Sequence, residues 1–194
     1  MTTFTLSTPD VYFVHFPMWD KEVTFRRAYR TSILKTITGK EQRNSLRTIV
    51  LKSLSFEVIP SSIAEVNYMR RYLMAYLHSL WGVPVWPREM ALSAAAASGQ
   101  NILSITDTRY RGLANGNVVI VVDDYETYDV GTIDSFTNTQ INLVANLANS
   151  YTTRHKVYPV LNAQLDSPQK LSRLIPGYSR VGMEFVEPLR SEEA

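Results

Sequence analysis

The chain contains no cysteine. Disulfides, thiolate metal sites and a cysteine nucleophile are therefore excluded, and the absence fits synthesis in a reducing cytoplasm. No apolar run approaches the roughly 20 residues that a membrane-crossing helix needs. The opening MTTFTLSTPD has neither a basic nor an apolar stretch, so no secretory signal is expected. An excess of one charge is lacking too: 20 Lys+Arg against 18 Asp+Glu leave a net +2. That is far from the concentrated basic stripe of a nucleic-acid-binding domain. The small excess is unevenly placed. Residues 1–90 hold 12 Lys/Arg against 7 Asp/Glu, and residues 91–194 hold 8 against 11. Such asymmetry suits a protein that meets different partners at its two ends. With 45% hydrophobic and 20% charged residues in 194, the composition is that of a packed chain, one domain or two small ones sharing strands.

What is present reads mostly as strand. Val11 to Phe16 is aromatic and β-branched and stops at Pro17. Val23 to Ile37 fits both a helical and a two-residue period, and its threonines before Gly39 tip the reading toward strand. Leu54, Phe56 and Val58 alternate with Ser53, Ser55 and Glu57, the pattern of a half-buried strand. Ser62-Ile63-Ala64-Glu65 then has the form of a capping box. Ile63, Val66, Met69, Leu73, Tyr76, Leu77 and Leu80 follow at helical spacing, so one helix is expected over about residues 62–81. Gly82 stands where its C-cap belongs, and Pro84 forbids continuation. Beyond it, Ala91 to Ser98 is undecided between helix propensity and strand. Strands are expected over Ile102 to Thr106, Val118 to Val122, Thr127 to Phe136 with an irregularity at Gly131, Gln140 to Leu143, Val157 to Leu165 and Val181 to Val186. The run Val118 to Val122 is apolar throughout, as in a strand covered on both faces. The fold class is mainly β (α+β), a sandwich or barrel with one long packed helix.

Sites with chemistry are few. Asp123, Asp124, Glu126, Asp129 and Asp134 resemble a calcium loop only in composition; Gly131 is misplaced, no Glu closes the loop, and a solvated turn is the simpler reading. His15, His78 and His155 are far apart, and none stands in a metal-binding spacing. There is no Gly-x-Ser-x-Gly elbow and no phosphate-binding loop. No catalytic residue, cofactor or metal is therefore assigned, and no enzymatic activity is expected. Arg26, Arg27 and Arg30, interleaved with Phe25 and Tyr29, fit either an amphipathic strand with a basic outer face or a stacking surface for single-stranded nucleic acid. Trp19, Trp81 and Trp86 read as core or interface anchors.

The order of short motifs resembles the distal-tail and tail-hub (minor tail) proteins of long-tailed bacteriophages and gene-transfer particles. The elements are Gly39-Lys40-Glu41-Gln42-Arg43, the strand Leu54 to Val58, a single helix, and Val83-Pro84-Val85-Trp86. Then come the small-residue segment Leu92 to Gly99, Gly116 to Val122, Val157-Tyr158-Pro159-Val160 and the alternating Val181 to Phe185. The resemblance covers about residues 20–187; each motif is short, and their order carries it. It places Ala94 to Ala97 in a strand. It implies a β-rich hub part with the helix over residues 1–88, a small barrel-like part over 89–156, and C-terminal strands over 157–194 returning to the first. Family members often continue into peptidase-like or carbohydrate-binding extensions, which this sequence does not show. The function implied is a ring-forming adaptor, commonly hexameric, at the virion tail tip or baseplate. It would be made in the host cytoplasm. It would join the tail tube to the central hub or fibre and leave a channel for tape measure and DNA.

The expected partners are then other tail proteins (tube, hub and tape measure) and further copies of the chain, with no membrane and no specific nucleic-acid binding. Arg26, Arg27 and Arg30 are the interface candidates. Two alternatives stand beside this reading: a tail-tube or tail-terminator ring subunit, and an OB-like module binding single-stranded nucleic acid.

Overall fold

The computed structural model describes residues 9–28, 31–35, 41–45, 50–166, 171–175 and 178–188. In chain order the strands are β1 (Val11–Tyr12), β2 (Thr24–Ala28), β3 (Thr31–Lys35), β4 (Glu41–Ser45) and β5 (Leu51–Val58). The helix α1 (Ile63–Ala75) follows, then β6 (Trp81–Pro84), a short 3₁₀ turn at Trp86–Arg88, β7 (Met90–Ala91), β8 (Ile102–Ser104) and β9 (Val118–Val122). The chain continues through β10 (Tyr128–Phe136), β11 (Gln140–Leu143), β12 (Lys156–Leu165), β13 (Leu171–Ile175) and β14 (Tyr178–Val186). The fold is mainly β with one helix. Twelve strands form one sheet along the path β2-β5-β14-β12-β9-β10-β11-β8, with β1, β6, β7 and β13 attached beside it. All pairings are antiparallel except β1 with β6.

Two strands explain how the core is arranged. Successive side chains of a strand point to opposite faces, and in β9 each face meets a different core. Ile120 and Val122 pack with Phe13, Phe56, Trp81, Met183 and Phe185. Val119 and Val121 pack with Leu103, Ile105, Ile133 and Ile141. This is the physical content of the all-apolar run. β12 does the same, sending Val157 to the second core and Tyr158, Leu161 and Ala163 to the first. Pro159 has no N–H to give, and it falls where β12 changes partner, from β7 at Lys156 and Val157 to β6 at Val160 to Ala163. Its carbonyl accepts from Val85 N at 2.8 Å.

The helix is shorter than its apolar spacing predicts. α1 stops at Ala75, and residues 76–79 form a turn closed by Ser79 N–H donating to Tyr76 O at 3.0 Å. Leu80 leads into the following strand: its N–H donates to Asp10 Oδ2 at 3.0 Å, and its carbonyl accepts from Asp10 N at 2.9 Å. This pins the chain so that Trp81 enters the sheet fully buried. Met69 and Leu73 are buried as the stripe predicts, but Ile63 and Leu77 are exposed. Gly82 is no C-cap. It lies in β6, at a position where a Cβ would overlap the Tyr12 ring. Gly131 likewise lies within continuous strand, with Leu143 packed over it; the bulge in β10 falls instead between Ile133 and Ser135.

Ala91 ends β7, and from Leu92 to Ser98, Ala94 to Ala97 included, the chain is neither helix nor regular strand; single bridges at Leu92 with Ile105 and Ala96 with Tyr151 hold it. Val11 to Phe16 is extended, but only Val11 and Tyr12 pair. The stretch from Val23 resolves into β2 and β3, and the Gly39 turn lies outside the described residues. β3 pairs with β4 in the register Thr31 with Ser45 to Lys35 with Glu41, and among the described residues neither pairs with another strand.

Candidate interface

β2 ends the sheet path and pairs only with β5, so one of its sides is an open edge among the described residues. Phe25 is half-buried, Arg26 and Arg27 are exposed, and Arg30 lies outside the described residues. Consecutive in β2, Arg26 and Arg27 point to opposite sides of the strand, and both are exposed. Tertiary structure adds two guanidiniums that local sequence gives no sign of. Arg88 closes the 3₁₀ turn, where Pro87 helps set the backbone, and its Cζ lies 5.0 Å from the Phe25 ring centroid. Arg27 Cζ lies 5.9 Å from the same centroid, within cation–π reach.

Arg111 completes the group from the loop before β9. Its carbonyl accepts from Arg88 Nη1 at 2.9 Å. The next residue, Gly112, has φ +74°, and a Cβ on it would stand 2.3 Å from Arg88 Nη1. The left-handed backbone favours glycine, and a side chain there would have to displace the end of Arg88. Burial, then the like charges of Arg27 and Arg111, pull the Arg88 pKa below the usual arginine range. Arg111 Nε is buried without a hydrogen-bond partner. Among the described residues no carboxylate forms an ion pair with Arg27, Arg88 or Arg111; the pairs made by neighbouring strands are Lys52 with Glu187 and Arg180 with Glu57.

A second polar group was not legible in sequence because its members are distant. Ser62 caps α1, its Oγ accepting from Glu65 N at 3.1 Å. The Glu65 carboxylate does not return to Ser62 as a capping box would have it. Oε2 accepts from Ser61 N at 2.6 Å and Ser61 Oγ at 2.7 Å, while Oε1 meets His15 Nδ1 at 3.2 Å. His15 is buried and stacks on Tyr125, ring centroids 5.0 Å apart. Burial lowers its pKa, against the hydrogen bond and charge of Glu65. Ser61 donates to Glu65 and not to the imidazole, so the trio lacks the hydroxyl–imidazole contact of an activated serine. It ties the segment before β2 to the start of the helix.

The acidic residues of the β9–β10 turn have separate tasks. Asp124 Oδ1 accepts from Glu126 N and Thr127 N at 2.8 and 2.6 Å, Asp123 meets His155 Nε2 at 3.0 Å, and Asp129 accepts from Asn149 N at 2.8 Å. Among the described residues no three acidic or histidine side chains are gathered to hold a metal. His78 is exposed in the turn after α1. Trp81 and Trp86 are fully buried, and Trp19 is 58% exposed.

No protein-family model matches the chain, and no curated protein sequence does. Among solved structures, the tailspike gp61 of Pseudomonas phage phi297 is similar over 37% of this chain and 14% of its own, at 20% identity and a TM-score of 0.32. The chain thus spans about a seventh of that tailspike, and a likeness of that extent carries no argument about function.

Proposed function

We propose that this chain is a structural subunit of a phage tail tip, a distal-tail or hub adaptor. Copies of it would form a ring between the tail tube and the central hub or fibre. The order of motifs along the sequence suggests the family, and one structural observation carries the assembly reading: β3 and β4 pair only with each other among the described residues. A two-stranded ribbon alone is at best marginally stable in water; three strands, or packing against another element, are needed. Such a ribbon gains stability by adding to a neighbour's sheet edge. The open side of β2, with Arg26 and Arg27, is an edge of the same kind on the body of the subunit. An arm and a receptive edge that are different parts of the chain give heterologous contacts, which close into a ring when the rotation between copies allows it. In this role the function is geometric, and no catalysis is assigned.

The test is electron microscopy of intact particles bearing a labelled copy of this chain. Label in a ring at the tail tip is the expected result. Label in the capsid, or no incorporation, would overturn the proposal.

A further inference from the structure

We infer that Tyr110 anchors the β3–β4 ribbon of a second copy of this chain where that ribbon seats on the open edge of β2. The inference rests on the reading of the chain as a ring subunit and names what that edge receives. Among the described residues Tyr110 is the one non-glycine residue with positive φ, at 61°. A bulky side chain is rarely found there, because its Cβ crowds the following carbonyl. The side chain gains little inside the subunit in return, being 97% exposed. Yet the loop that carries it is braced on both sides. Before it, Thr108 is buried, its N–H donating to Asn138 O at 3.0 Å and its Oγ1 to Thr137 O at 2.6 Å. After it, the Arg111 carbonyl accepts from Arg88 Nη1 at 2.9 Å. A strained residue held out on a braced loop points to a task outside the fold. A loop already fixed also loses little freedom when its tip is covered.

Position and pairing favour the ribbon as the occupant. The Arg88 side chain touches both places: its Cζ lies 5.0 Å from the Phe25 ring centroid of β2, while its Nη1 holds the carbonyl next to Tyr110. The loop therefore stands close to the strand whose outer side is open. Among the described residues the β3–β4 ribbon has no sheet to join and does not pair with β2 of its own subunit, so the edge it seeks lies on another copy. β3 carries Ile33 and Leu34 in its sequence, apolar residues that a tyrosine ring can cover. Arg109, beside Tyr110, is already paired with Asp107 at 3.0 Å. The tip thus offers a ring rather than a bare cation, which suits a peptide better than a polyanion.

The test puts the photo-cross-linker p-benzoylphenylalanine in place of Tyr110 in the full chain and irradiates it both as concentrated purified protein and in particles. A dimer-sized band whose cross-linked peptide lies in β3 or β4 is expected. A cross-link to another segment or another protein, or none in either sample, overturns the inference. Tyr110→Asn supplies a second readout, since asparagine takes the left-handed backbone more readily. It should melt at or above the temperature of the parent, yet lower incorporation into particles by about tenfold or more, as loss of an anchor residue does. A lower melt would assign Tyr110 to the fold, and unimpaired incorporation would remove it from the contact; either result overturns the inference. If the parent chain sits at the tail tip but the cross-link falls elsewhere, this contact is wrong and the assembly reading stands. A cross-link to the ribbon of a second copy, made by a chain that particles do not incorporate, supports the contact and overturns the tail-tip reading.

Discussion

Replacing Glu65 by alanine tests whether the buried pair with His15 holds the N-terminal segment on the helix. Glu65 is 7% exposed and His15 3%, so water cannot readily take the place of the lost carboxylate at the imidazole. Stranding the His15 donor should cost about 1–3 kcal/mol. Removing an anion from the first helical turn adds about 0.3–1 kcal/mol. Ser61 is exposed, and solvent can serve its N–H and hydroxyl, so those bonds add little. The expected total is about 1–4 kcal/mol, measured by urea denaturation. Changing both partners, His15→Phe with Glu65→Leu, should recover most of the loss, since an apolar pair of similar volume leaves no stranded group. A Glu65→Ala loss below about 0.5 kcal/mol would refute the reasoning, being the range of an ordinary surface substitution.

The same pair predicts a pH dependence. Burial lowers the folded His15 pKa below that of the unfolded chain, so between the two values the unfolded state binds more protons. Stability must then rise with pH in that window. It should be full above about pH 7 and decline as pH falls through about 6.5, at no more than about 1.4 kcal/mol per pH unit. The decline should continue down to the folded pKa. His15→Gln, which keeps a donor for Glu65, should remove this slope.

Leu73→Ala should cost about 2–5 kcal/mol, since Leu73 is buried in the first core; an unchanged thermal melt would discount the packing of α1 on that core. Gly82→Ala should destabilise by about 1–3 kcal/mol, because its methyl would overlap the Tyr12 ring, and Tyr12→Ala in the same chain should relieve part of that loss. Replacing residues 30–46 by a short Gly-Ser linker should leave the melt of the isolated subunit within a few degrees while abolishing incorporation into particles. Unimpaired incorporation would show that the ribbon is not the assembly arm.

Strand positions are legible where alternation has one buried face. Leu54, Phe56 and Val58 are buried as their spacing requires, and the doubly apolar Val118 to Val122 lies between two cores. The helix start is legible from Ser62, but its end is not. The periodic apolar residues beyond Ala75 look helical in isolation, and the capture of Leu80 by Asp10 depends on a residue 70 positions away. Gly82 and Gly131 read as a cap and an irregularity because sequence shows a glycine without showing what packs against it. Of the interface candidates, the structure leaves Arg26 and Arg27 exposed on opposite sides of an edge strand. Their companions Arg88 and Arg111 come from 61 and 84 residues beyond Arg27, a juxtaposition that no local pattern encodes.

β9 has a consequence for how the molecule yields to stress. It is a party wall: even-numbered residues Ile120 and Val122 furnish one room, and odd-numbered Val119 and Val121 furnish the other. A slip of this strand by one residue would exchange the two sets and evict the contents of both rooms at once. Neither side can be taken down alone while the wall stands, and once it falls neither side remains enclosed. A load applied at one end of the subunit, as by a neighbour pulling on its edge, is therefore borne by both cores together, and the piece resists or fails as a single block.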